Sequence, residues 1–133
     1  MARMATNPNY EPRCRVPCED FVFVLDGNGG GAGVPAIATN GDREGVIATS
    51  GVADTATGTI TVKLRHRYAA IAVRGVNVGD PAGNLVATGV ADTTVDPNTI
   101  TIYIYDTDAT AALADTTDLI TVSARGYFNA QGT

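Results

Sequence analysis

Alternation with a period of two dominates this chain from Asp20 onward. Ile60, Val62 and Leu64 interleave with Thr59, Thr61 and Lys63, and Ile100, Ile102 and Ile104 interleave with Thr99, Thr101, Tyr103 and Tyr105. Successive side chains of an extended strand point to opposite faces, so the pattern builds sheets with one apolar and one hydroxyl-rich face. Threonine, valine and isoleucine dominate, and these are the side chains a half-buried pleated surface favours. No window sustains apolar residues at helical spacing between caps; the alanine-rich stretch Thr107–Asp118 comes nearest, with room for one helical turn.

Seven stretches read as strands: Phe21–Leu25, Gly45–Asp54, Thr57–Arg67, Ala69–Val78, Asn84–Asp92, Asn98–Asp106 and Asp118–Phe128. Turn residues (Gly, Asp, Asn, Pro) separate them. The expected fold is all-β, an antiparallel β-sandwich or barrel-like closure of about seven strands. Phe21–Leu25 is apolar on both faces, and Gly75 marks an expected bulge where the alternation shifts from Ile71/Val73 to Val76/Val78. An internal repeat supports the assignment. Gly51-Val52-Ala53-Asp54-Thr55 recurs as Gly89-Val90-Ala91-Asp92-Thr93, and each copy runs through a turn into Thr59–Val62 or Thr99–Ile102. Two copies are too few for a solenoid, so they read as two related hairpins inside one sandwich.

The first 18 residues stand apart. They hold Pro8, Pro12 and Pro17, three of the six prolines, and no periodic apolar pattern, which predicts an extended N-terminal arm over 1–18. The sandwich is expected over 19–128, with a short tail at 129–133. At 133 residues the chain is long enough to bury a core without staples. Its longest apolar runs, Phe21–Leu25 and Ala69–Val73, are five residues long, against about 20 for a membrane helix, so no membrane partner is expected. The first 19 residues also lack the apolar stretch of a signal peptide.

Charge is divided between arm and globule. Arg3, Arg13 and Arg15 against Glu11 give the arm +2, while six bases against thirteen acids give the remainder −7, for a net charge of −5. An acidic globule repels phosphates, so nucleic acid is not an expected partner. The arm's arginines suit an acidic protein surface. Cys14 and Cys18, spaced C-x3-C, are the only cysteines, and His66 is the only histidine. A structural zinc site needs four ligands and is not expected. A turn at Pro17 would allow a Cys14–Cys18 disulfide, and free thiols are equally compatible with the spacing.

Motifs that promise chemistry lack their partners. Asp26-Gly27-Asn28-Gly29-Gly30-Gly31-Ala32 contains G-x-G-x-x-A after an apolar strand, but Val34-Pro35 follows where a pyrophosphate-binding helix would have to begin. The expectation is a loop with little ability to order itself. Asp106-Thr107-Asp108 resembles the opening of a calcium loop without its glycine and closing glutamate. Asp106 and Asp108 are thus weak calcium candidates, and the competing reading makes Asp106, Asp108, Asp115 and Asp118 Asx-turn acceptors in a solvated loop. His66 lies between Arg65 and Arg67, and the only serines, Ser50 and Ser123, fall in strands rather than at a nucleophile turn. Eleven aspartates offer carboxylate pairs, but eight aromatics and no tryptophan make a poor sugar platform. No catalytic residues, no cofactor and no enzymatic activity are expected. Tyr103 and Tyr105, on the face opposite Ile100, Ile102 and Ile104, are candidate self-association contacts.

Thr57–Ala69 (TGTITVKLRHRYA), Asn98–Tyr105, the acidic Ala114–Asp118 loop and Leu119–Phe128 together resemble small β-sandwich virion proteins of tailed bacteriophages. The resemblance spans roughly residues 44–128 and leaves out the cysteines and the glycine loop. It implies a head decoration or cement protein, made in the host cytoplasm and placed on the capsid surface. Its implied partners are the major capsid protein and further copies of itself, commonly as a homotrimer. Arg3, Tyr10, Arg13 and Arg15 of the arm are then the capsid-contact candidates. The alternative expectation is a carbohydrate- or surface-binding module of a tail or fibre, with the ligand held by Asp26–Gly33 and Asp106–Asp118.

Overall fold

The computed structural model describes residues 17–92, 98–108 and 112–128. These form β1 (Cys18–Asp26), β2 (Ala36–Ile37), β3 (Ile47–Ala56), β4 (Thr59–Leu64), β5 (Ala70–Val78), β6 (Leu85–Asp92), β7 (Thr99–Asp106) and β8 (Leu119–Tyr127). Two four-stranded antiparallel sheets, ordered β2-β1-β8-β5 and β3-β4-β7-β6, pack as a β-sandwich. All seven expected strands are present with shifted ends, and β2 is an addition. Two residues are too few to leave a periodic signal, and β2 is defined only by pairing Leu25 with Ile37 and Asp26 with Ala36.

The alternating residues supply the core. Phe21, Phe23 and Leu25 of β1, Ile60, Val62 and Leu64 of β4, Ile100, Ile102 and Ile104 of β7, and Ile120, Val122 and Ala124 of β8 are all buried between the sheets. Val22, on the other face of β1, is 51% exposed, so its strand is not buried on both faces although both are apolar. The expected bulge is present: the β5–β8 register shifts between Val73 and Gly75. Instead of a helical turn within 107–118, the described part of that stretch is irregular, with Leu113 bridging to Tyr105. A bridge to the sheet satisfies backbone groups that one isolated turn would leave open.

The repeat builds the second sheet. β3–β4 and β6–β7 are its two hairpins, joined side by side through β4 and β7, with the repeat-equivalent Thr61 and Thr101 directly opposite each other. The similarity also reaches further upstream than Gly51. Asp42 accepts the amides of Val46 and Ile47 at 2.7 and 2.9 Å, and Asp80 accepts those of Asn84 and Leu85 at 2.8 and 3.1 Å. Gly45 and Gly83 both adopt positive φ, 67° and 74°. Each hairpin is thus launched by the same Asp-x-x-Gly turn.

The copies then diverge. Ile47 pairs with Leu64 and Val52 with Val62, so β3 advances five residues while β4 advances two. The surplus forms a wide bulge that includes Ser50 at φ 56° and returns Val52 to the core side. β6 has no such bulge and pairs regularly with β7 from Leu85↔Asp106 to Asp92↔Thr99. Its inward positions are therefore Leu85, Ala87, Gly89 and Ala91, while Val86, Thr88 and Val90 face solvent.

Candidate functional site

The strand alternation gathers the uncharged surface of the molecule on the outer face of the second sheet. Reading across strands, one row is Val86, Tyr105 and Leu113. The next is Thr88, Tyr103 and Thr59, and the third is Val90, Thr101, Thr61 and Ala53. No charged residue occurs in these three rows. Charge returns only in the following row, where Asp92 and Lys63 flank Thr99. Val86 and Val90 are 48% and 56% exposed. Tyr103 and Tyr105 face outward and are half-buried by their neighbours. Both tyrosines expected to make self-contacts therefore lie on one exposed face, whereas Val86, Val90 and Leu113 were not singled out in the sequence. Their exposure follows from the straight register of β6 and the bridge at Leu113.

The remaining polar candidates serve the fold. Asp26 accepts the amide of Asn28 at 3.0 Å, and Asn28 accepts that of Gly33 at 2.5 Å. The amides of Gly27, Gly29, Gly30, Gly31 and Val34 each bond a backbone carbonyl. The glycine loop, expected to have little ability to order itself, is thus held by bonds within its own turns and by the Asp118 carbonyl. The amides a phosphate would require are already satisfied. Asp106 accepts the amide of Asp108 at 2.8 Å, Asp115 that of Gly58 at 2.6 Å, and Asp118 the hydroxyl of Thr116 at 2.9 Å. Of these three bonds only that of Asp106 is an Asx-turn; Asp115 reaches across to the β3–β4 turn and Asp118 takes a hydroxyl, and among the described residues no three potential metal ligands converge.

Two further clusters lie at the first sheet. Asp20 of β1 is held by Arg125 of β8 through two bonds, of 2.6 and 2.9 Å, with Arg74 of β5 at 3.3 Å. The Arg125 hydrogen bond, aided by both positive charges, keeps the Asp20 carboxyl below its ordinary range, and the same bond raises Arg125. Tyr68 is buried, stacks on Phe21 at 5.7 Å and donates its hydroxyl to Glu19. Burial, then the bond to Glu19, pushes its phenol upward. His66 packs edge-on against Tyr68 and Phe128, with ring centroids at 6.4 and 6.5 Å. It remains exposed beside an aromatic stack.

Arg3, Tyr10, Arg13, Arg15 and Cys14 lie outside the described residues, and with them residues 1–16 of the expected arm and the possible disulfide. Cys18 opens β1 as an exposed residue opposite Tyr127. Compared with protein-family models, curated proteins and solved structures, the chain gives no match.

Proposed function

We propose that this protein is a structural component of a phage virion, a decoration or cement protein that stabilises a capsid by protein–protein contact. The observation that carries this reading is the three-row uncharged face built by Val86, Val90, Tyr103, Tyr105 and Leu113. Tyrosine beside β-branched residues offers apolar area with a polar tip, the chemistry of a protein contact surface. The acidic globule with a basic arm gives the molecule two unlike attachment elements.

The arm is the capsid-binding element in this proposal, with Arg3, Arg13 and Arg15 supplying positive charge toward an acidic shell surface. The test is co-sedimentation with capsids assembled from a tailed-phage major capsid protein. Removing residues 1–16 spares Pro17, whose carbonyl accepts the Phe128 amide at 2.9 Å. The shortened chain is expected to keep its unfolding midpoint and to stop pelleting with capsids. Undiminished pelleting would overturn the assignment of the arm, and absence of pelleting by the full chain would overturn the virion reading.

A further inference from the structure

A β-sheet ends in strands whose outward backbone groups invite another strand, and proteins commonly block such edges. Three of the four edges here are obstructed. β2 is two residues long, β3 carries the wide bulge around Ser50, and β5 carries the Gly75 bulge beside the charged Arg74. β6 has none of these devices. It runs straight for eight residues, and Leu85–Ala91 contains no charge and no proline.

The phase of its hydrogen bonds defines what the open side offers. Thr107 donates its amide to Asn84 at 2.8 Å, so Val86, Thr88 and Val90 form the bonded pairs with β7. Ala87, Gly89 and Ala91 therefore turn their N–H and C=O groups away from β7, to an edge along which β5 of the other sheet packs without pairing, Val73 and Val76 seating against Gly89. Among the described residues, β7 is the only strand β6 pairs with, and these groups point away from it. The side chains are equally unusual. The sister strand β3 uses its bulge to direct Val52 inward, yet β6 keeps Gly89 and Ala91 inside and presents Val86 and Val90 to solvent. A one-residue slip would reverse this.

The geometry points to β6 as the seam of a homodimer, in which two copies pair their β6 strands antiparallel about a two-fold axis at Thr88. An isologous contact requires a self-complementary strand, and this one is centred on Thr88. In that register Val86 meets the partner's Val90, Thr88 meets its counterpart, and Asp92 meets the partner's Asn84. Ala87 and Gly89 exchange backbone bonds. No like charges are opposed, and the β-branched pairs are of the kind that stabilise sheets. The two second sheets become one sheet of eight strands, with the uncharged faces continuous across the axis.

Light scattering after size exclusion, on the full chain over a wide concentration series, tests this. The expected mass is near twice 13.7 kDa. Thr88→Lys and Thr88→Glu each place like charges at the axis on an exposed position and are expected to halve the mass. Mixing the two variants restores it, because opposite charges then face each other. Thr55→Lys, on the opposite edge strand, leaves the dimer intact. Hydrogen exchange of the Ala87, Gly89 and Ala91 amides should slow on association. A monomer at all concentrations, a trimer, or a dimer indifferent to the Thr88 variants would overturn the proposal. So would failure of the mixture to recover.

Discussion

Gly126 and Tyr68 illustrate how single residues close the sandwich. The Tyr68 ring lies flat against Gly126, and a Cβ there would collide with the ring. Gly126→Ala should therefore cost about 1–3 kcal/mol by overpacking, read as a lowered midpoint in denaturant unfolding. Tyr68 also carries a pH signature. Its folded phenol titrates above its ordinary value, so the folded state retains a proton that the unfolded chain loses near pH 10. The stabilisation is complete below about pH 10 and disappears as pH rises through the folded value. Unfolding midpoints measured up the alkaline range should fall, and Tyr68→Phe should flatten that fall while costing about 1 kcal/mol at neutral pH through the lost Glu19 bond. Neither role was legible in the sequence, because Glu19 and Gly126 reach Tyr68 only through the pairing of β1 and β5 with β8.

At the scale of elements, period-two alternation was sufficient to find the long strands, since it reports directly which face is buried. Gly75 announced its bulge because the apolar phase changed around it. The β3 bulge gave no such sign: Ile47 to Asp54 and Leu85 to Asp92 look alike in sequence, and only the pairing partner reveals that one is looped and the other straight. Their common turn makes a prediction. Asp42 accepts two amides that belong to the buried Val46 and Ile47, so Asp42→Ala leaves donors without partners at the start of β3. The expected cost is about 2–3 kcal/mol in equilibrium unfolding. Asp80→Ala, whose amide partners are more exposed, should cost less. Equal losses would count against burial as the cause.

For the molecule as a whole, the sandwich class was legible, while the candidate surface was only half so. Tyr103 and Tyr105 were placed on an outer face by alternation alone. Val86 and Val90 were not, because their orientation depends on a register that a tertiary pairing sets. The core offers a check on the sandwich as one cooperative unit: Ile102→Ala, at the centre of the buried β7 row, should cost about 2–5 kcal/mol and lower fluorescence and circular dichroism midpoints together. Separate transitions would mean that the sheets unfold independently. The topology also imposes an order on synthesis. The second sheet is complete once β7 has emerged, but β5 has β8 as its only ladder partner and β1 has otherwise only the two residues of β2. The first sheet thus waits for β8, and a ribosome halted before Leu119 would carry one finished sheet with Phe21, Phe23 and Leu25 still uncovered.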